Sequence, residues 1–394
     1  MPDKQETKNN HLRRYPYYSK NRYYNHIYEL RTEQPRLDTM NCLLRSFLGE
    51  LQMFFYSLWR GSDRLPKNKE LWRATPALLP ILDSENLASS NYSSVCDRKV
   101  QSQAQLVTSS LNITWVGHST FLIQTAGKNI LTDPIFGNAT FLFPRILAPG
   151  ISLAQLPPID YILISHNHFD HMHYRSIMAI KKKSPNLKLL VPRGDSRYLL
   201  KWGFKPEQII EGFWWESYQL GNFKFTFLPA YHWSQRSLFD KNKSLWGSWM
   251  IETSQHRLYF AGDTAYSGHF NTIAQEFPPI DIAFMPIAPC EPRKYLHTSH
   301  INAAEAGQAF QDLGAKIMVP MHWGTFHFGS DLFDTPIRQI KKWWNSHISQ
   351  ELGLETLKIM KIGESYDFAQ DLAQHSLLVP TQVLPQAPQL QKQQ

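Results

Sequence analysis

Only three cysteines, Cys42, Cys96 and Cys290, occur in 394 residues, far apart and without regular spacing. That scarcity argues against a disulfide framework and against a cysteine-based zinc site. The N-terminus, MPDKQETKNNHLRRYPYY, lacks the apolar core of an ordinary signal peptide. The most apolar early run, NCLLRSFLGELQMFFYSLW from Asn41, is interrupted by Arg45 and Glu50. It is too short and too charged to span a bilayer. No internal repeat is visible. The expectation is an intracellular protein, cytoplasmic or peripherally attached to membrane.

Positive charge and aromatic rings are plentiful: the formal net charge is +8, with 12 tryptophans and 17 tyrosines. Such a chain suits nucleic acid, a membrane surface or a small phosphate-bearing substrate, and composition does not choose among them. Residues 1–35 are basic and tyrosine-rich and read as a flexible arm that orders only if it docks. Residues 36–108 read as a helical and loop extension. Within it Leu43, Leu44, Phe47, Leu48, Leu51, Phe54, Phe55 and Leu58 recur at helical spacing, either to pack on the main domain or to touch a membrane. Residues 109–368 read as the catalytic domain, and 369–394, rich in Gln and Pro, as a disordered tail.

In that domain NITWVGHSTFLIQT and KNILTDPIF read as two strands joined at Ala126-Gly127. DYILIS, KLLVP, RLYFAGD, DIAFMPI and AKIMVPMH are continuous apolar runs, the texture of strands buried on both faces. Helical stretches such as HINAAEAGQAFQDLG lie between several of them. The pattern predicts a layered α/β or α+β domain.

The segment ISHNHFDHMHY, residues 164–174, puts four histidines and an aspartate within eleven residues, directly after DYILIS. A strand would therefore deliver His166, His168, Asp170 and His171 at its C-terminal end, the last two from the start of the next helix. Neutral imidazoles and carboxylates are ligands for zinc and related divalent ions. Four such groups in six residues exceed the need of one catalytic ion, which suggests two. Three further strands each end in a metal-capable residue: His232, Asp263 and His322. His173 reads as a helix-surface residue. His118 and Asp133 read as groups that orient ligands or a bound water, with a turn-initiating aspartate before Pro134 as the other reading of Asp133.

HNHFDH, followed downstream by FAGDT and MHWGT, resembles the H-x-H-x-D-H signature of the metallo-β-lactamase superfamily. That resemblance implies a four-layer αββα sandwich with a di-metal site at the edge between its sheets. From about Leu111 to Tyr366, the stretches WVGHST, LTDPIF, LWGSW, EPR, HWGTF and GES are similar to the phospholipases D that hydrolyse N-acyl-phosphatidylethanolamine. The similarity implies one zinc at His166, His168 and His232, a second at Asp170, His171 and His322, and Asp263 bridging both. Phe169 stands where that family carries tyrosine, so any role of the hydroxyl is absent. Arg236 and His300 match family positions near the substrate phosphate and headgroup; a surface ion pair and a helix-start histidine are their plainer readings.

The resemblance implies a zinc phosphodiesterase in which a metal-activated hydroxide attacks phosphorus, releasing N-acylethanolamine from phosphatidic acid. Asp263 would take a proton, and His300 or a water would supply one to the leaving oxygen. The implied partners are a phospholipid substrate, a membrane surface and a second copy of the chain, with no nucleic acid. The competing enzymatic reading is a phosphodiesterase of the same superfamily acting on nucleic acid, nucleotide or another small substrate.

Overall fold

The computed structural model describes residues 16–25, 66, 68–74, 110–348 and 356–378. The helix expected near residues 39–59 lies outside them, as does the tail beyond 378. The described chain begins with a hairpin, β1 (Tyr17–Ser19) and β2 (Arg22–Tyr24). Next come β3 (Leu111–Gly117), β4 (Thr120–Thr125), β5 (Lys128–Thr132), β6 (Tyr161–Leu163), helix α1 (Tyr174–Lys183), β7 (Lys188–Pro192), helix α2 (Ser196–Lys201) and β8 (Ile209–Gly212). The second half holds β9 (Ser217–Leu220), β10 (Phe223–Leu228), β11 (Ser248–Glu252), β12 (Arg257–Phe260), α3 (His269–Glu276), β13 (Ile280–Pro286), α4 (Arg293–Leu296), α5 (Ala303–Leu313) and β14 (Ala315–Met321). It closes with α6 (Thr335–His347), β15 (Ser365–Asp367) and α7 (Ala369–Leu378).

Two sheets form, of seven strands (β15-β3-β4-β5-β6-β7-β8) and of six (β14-β13-β12-β11-β10-β9). Strands β5 to β8 pair in parallel, as do β12 to β14, while the remaining neighbours are antiparallel. The continuous apolar runs have a direct cause. Leu111, Ile113, Trp115, Phe121, Ile123 and Leu163 pack toward Phe225, Phe227 and Trp249 of the other sheet. Their chain neighbours Val116, Leu122, Leu131 and Ile162 pack instead with Ile177 and Ile180 of α1 and Leu199 of α2. Alternation is present, but both faces are covered and so both are apolar. Helices α3, α5 and α6 cover the outer face of the six-stranded sheet through Phe270, Phe310 and Trp344. The result is the expected four-layer sandwich.

The sheets are hydrogen-bonded to each other behind the histidine cluster. Trp249 Nε1 donates to Ile164 O at 2.8 Å and Gly247 N to Ser165 O at 2.9 Å, tying one sheet to the other just before His166. At Gly262 a β-carbon would lie 2.5 Å from Ser165 Cβ, and φ there is +60°. Only glycine admits both that approach and that backbone.

Four expectations need correction. The stretch read as one strand before Ala126 is two, β3 and β4, because Gly117 (φ +119°) and His118 (φ +56°) reverse the chain. Asp170 and His171 lie in a turn three residues or more ahead of α1, not on its first turn. Residues 16–25 are not a loose arm: positive φ at Lys20 and Asn21 closes a two-residue hairpin turn, and Tyr23, Tyr24 and Asn25 are buried against the domain. The boundary at 368 also fails, since α7 continues from Phe368 and buries Leu372 in the main core. Gln-rich composition hid the apolar anchor Leu372. From the extension, Trp72 lies edge-on to Trp323 and Phe333, with ring centroids 5.7 and 5.6 Å away.

Candidate metal centre

The ligand-capable residues converge at one edge of the sandwich because four strands end there. β6 leads to His166, His168, Asp170 and His171; β10, β12 and β14 lead to His232, Asp263 and His322. Three donors meet in a first group: His168 Nδ1 lies 2.8 Å from His166 Nε2 and 3.3 Å from His232 Nε2. In a second group Asp170 Oδ2 lies 3.1 Å from His171 Nε2 and 3.8 Å from His322 Nε2. Asp263 Oδ2 stands between the groups, 3.1 Å from His322 Nε2, 3.3 Å from His171 Nε2 and 3.9 Å from both His166 Nε2 and His232 Nε2.

In His166, His171 and His232 the opposite ring nitrogen is held, which leaves the converging one to face the cluster. His166 Nδ1 donates to Ser165 Oγ (2.9 Å), whose hydroxyl donates to Asp133 Oδ2 (2.6 Å). His171 Nδ1 donates to the same Asp133 oxygen at 2.7 Å, and His232 Nδ1 to Ser299 O at 2.8 Å. Ser165 N also donates to Asp133 Oδ1 at 2.8 Å. Asp133, fully buried, therefore anchors one histidine of each group. His118 Nε2 donates to Asp170 Oδ2 at 2.8 Å, and its own main chain is fixed by Thr325 Oγ1 and by Trp115 Nε1. Both residues thus contact the ligand set in the way an orienting group must.

Electrostatics match this arrangement. Burial, with neighbouring histidines, depresses His166 well below an ordinary histidine; burial likewise lowers His232, and takes His168 and His118 down to about 3. Burial opposes charge on His171, yet the carboxylates of Asp263, Asp170 and Asp133 outweigh it and raise that ring well above the usual value. Burial also opposes charge on Asp263 and Asp170, but adjacent imidazoles hold both well below the carboxylate range. Meanwhile His171 Nε2, His322 Nε2 and Asp263 Oδ1 are buried without a hydrogen-bond partner. Buried unpartnered polar atoms of this kind, among carboxylates that favour positive charge, fit divalent cations. Among the described residues, His166–His168–His232 and His118–Asp170–His171–His322 are groups that could hold an ion.

The two residues assigned near the substrate part company. His300 lies at the centre, with Nδ1 3.8 Å from Asp263 Oδ2 and its ring 5.0 Å from that of His232; burial lowers its pKa to about 4. Arg236 turns Nη1 to the main chain of the histidine loop. Its Nη1 donates to Asn167 O (2.8 Å) and Met172 O (2.7 Å), and its guanidinium lies against Phe169, Tyr198 and Trp202. It braces the histidine loop from behind. Ser165, Ser299 and Arg293, whose Nη1 holds His300 O at 2.6 Å, were not anticipated. A serine immediately before H-x-H was the one local signal; carbonyl partners leave none.

With the geometry in hand, the relatives are informative. A beta-lactamase superfamily domain model matches residues 128–323. An N-acyl-phosphatidylethanolamine-hydrolyzing phospholipase D 1 of Caenorhabditis elegans is 30% identical over 288 residues, 67% of this chain and 81% of that protein. The chain belongs to the metallo-β-lactamase superfamily. An uncharacterized protein of Mycobacterium tuberculosis is 34% identical over 242 residues, 59% of this chain. The match spans 63% of that relative's own length, less than two thirds. Among solved structures, Igni18, a metallo hydrolase from the archaeon Ignicoccus hospitalis, superposes with a TM-score of 0.50 at 21% identity, covering 66% of this chain and 98% of that one. This likeness bears on the metallo-β-lactamase fold alone. Among the described residues no helix is long and apolar enough to cross a membrane.

Proposed function

We propose that this metallo-β-lactamase-fold chain is a metal-dependent phosphodiesterase that hydrolyses N-acyl-phosphatidylethanolamine to N-acylethanolamine and phosphatidic acid. The observation that carries the reading is the pair of three-donor groups, His166–His168–His232 and Asp170–His171–His322, with Asp263 Oδ2 within 3.9 Å of both. They would hold two zinc ions, one per group. Metal bound by these residues would supply Lewis acidity, activating a water for attack and drawing charge from a phosphoryl oxygen. The printed name of the Caenorhabditis relative supports the choice of substrate.

The chain's own residues then do the rest. Asp263, whose Oδ1 is buried and unpartnered, would accept a proton from the attacking water. With its pKa near 4, His300 is neutral at pH 7, which suits it to hydrogen-bonding a phosphoryl oxygen rather than protonating the leaving group. Asp133 and Ser165 keep the ligating tautomers. A lipid substrate also accords with exposed Phe141, Phe169, Leu238 and Phe239, all on loops that leave the ligand-bearing edge. These loops would contact the membrane surface.

The test is incubation with N-acyl-phosphatidylethanolamine in detergent, with and without a zinc chelator, and identification of products by mass spectrometry. Phosphatidic acid and N-acylethanolamine, both suppressed by chelation, are expected. A zinc-loaded protein that leaves the lipid intact but cleaves nucleic acid or a nucleotide diester would overturn the substrate assignment.

A further inference from the structure

The loop joining β10 to β11, residues 229–247, carries His232 and Arg236 yet contains no helix or strand. A loop this long supplies a ligand accurately only if something outside it fixes its path. Its internal braces include Asn242 N to Ser234 O (2.7 Å), Ser234 Oγ to Ser244 O (2.6 Å) and Trp246 Nε1 to Ala230 O (3.0 Å). The ring of His232 is held by Ser299 O, but that bond sets the ring's rotation and not the position of its backbone.

The backbone beside His232 is held at Tyr231, whose N donates to Thr264 Oγ1 (2.9 Å) and whose O accepts from Ala265 N (2.7 Å); the carbonyl of His232 itself is held from the other end of the chain. Asn25, buried directly after β2, donates from Nδ2 to His232 O at 3.1 Å and accepts at Oδ1 from Trp246 Nε1 at 2.9 Å. One amide thus spans both ends of the loop. The hairpin that carries it is fastened to the loop's middle, with Tyr23 N donating to Asn242 O at 2.8 Å and Arg22 Nη1 to Lys241 O. The hairpin and Asn25 lie outside residues 128–323, the part the superfamily model matches, while their partners in the loop lie inside it.

We infer that Asn25 is a positioning residue: through the N-terminal hairpin it holds His232 in place and so tunes the His166–His168–His232 group separately from the Asp170–His171–His322 group. The inference rests on the metal-site reading above. Side chains that orient a metal ligand from behind typically change affinity about 10- to 100-fold when removed. An effect confined to one group of ligands distinguishes positioning from mere support of the fold.

The experiment titrates full-length protein with cobalt(II), following visible absorption, with His168→Ala and His322→Ala as references that identify each group's signal. Asn25→Asp retains the acceptor for Trp246 but loses the donor to His232 O; Asn25→Leu loses both. In each variant, the His168-dependent signal is expected to require about 10- to 100-fold more metal, while the His322-dependent signal saturates as in the wild type. Wild-type affinity at both groups, or equal weakening of both in step with a lowered melting temperature, would overturn the inference. If Asn25→Leu fails to fold, Asn25→Asp decides. Wild-type protein without either signal would instead sink the metal-site reading beneath it.

Discussion

Asp133 offers the most discriminating perturbation, because it serves both donor groups without belonging to either. Asp133→Asn keeps size and shape, and asparagine tolerates the left-handed backbone found there (φ +31°) better than most residues. The carboxylate now receives three hydrogen bonds, from Ser165 N, Ser165 Oγ and His171 Nδ1. An amide replaces one accepting oxygen with a donor. If its NH2 faces His171, two donors collide, and the ring escapes only by moving its proton to Nε2, the nitrogen a metal needs. If the NH2 faces Ser165 N, the collision passes to the backbone before His166. Either way a fully buried donor loses its acceptor, at about 1–3 kcal/mol. Since about 1.4 kcal/mol is tenfold, metal affinity should fall roughly 5- to 150-fold at both groups. Ser165→Ala should behave differently: it removes only the relay from His166, so the His166–His168–His232 group weakens and the other does not. Competition against a chromophoric chelator reads both affinities, and melting of metal-free protein excludes unfolding. Unchanged affinity in Asp133→Asn, or equal loss at both groups in Ser165→Ala, would refute the tautomer argument.

Other perturbations test neighbouring steps. Asp263→Asn should lower turnover about 10²–10⁴-fold with the fold intact by circular dichroism; near-normal turnover would remove Asp263 from the chemistry. Arg236→Met should destabilise the protein by about 1.5–3 kcal/mol in urea titration, because Asn167 O and Met172 O lose a charged donor; a raised KM with unchanged stability would restore the substrate-binding role. His269 is buried outside the donor groups, and burial lowers its pKa to about 3. Between pH 6.5 and about 3 the unfolded chain binds a proton there that the folded one refuses, so stability falls on acidification by about 1.4 kcal/mol per pH unit. Above pH 6.5 neither state is protonated and the contribution vanishes. Urea titrations at pH 7, 6 and 5 should show a shallower decline for His269→Phe than for wild type, and parallel declines would refute the assignment.

Much of this was legible because metal ligation and sheet burial write themselves locally. DYILIS reads as a strand since both faces of β6 are covered, and HNHFDH reads as a ligand cluster since nothing else calls for such density. His232, Asp263 and His322 were found by one repeated circumstance, a metal-capable residue just past an apolar run. What stayed hidden depends on long-range contact. Arg236 looks like any exposed arginine until its carbonyl partners 64 and 69 residues away are known. Asn25 sits in a tyrosine-rich stretch whose composition suggests solvent, and its partners lie 207 and 221 residues further on. The break at Gly117-His118 escaped because apolar residues continue on both sides of it. Leu372 was masked by the glutamines around it.

The donor groups draw on the chain in an uneven order. His166, His168, Asp170 and His171 come from one short segment of the seven-stranded sheet, whereas His232, Asp263 and His322 follow one at a time from the other sheet. During synthesis the dense segment leaves the ribosome first and waits, four donors without a complete cage. Neither group closes before its distant partner arrives, and His322 is more than 150 residues behind His171. A complete set of donors therefore exists only once the second sheet has folded against the first, and a chain truncated before residue 322 would carry an open-sided cluster.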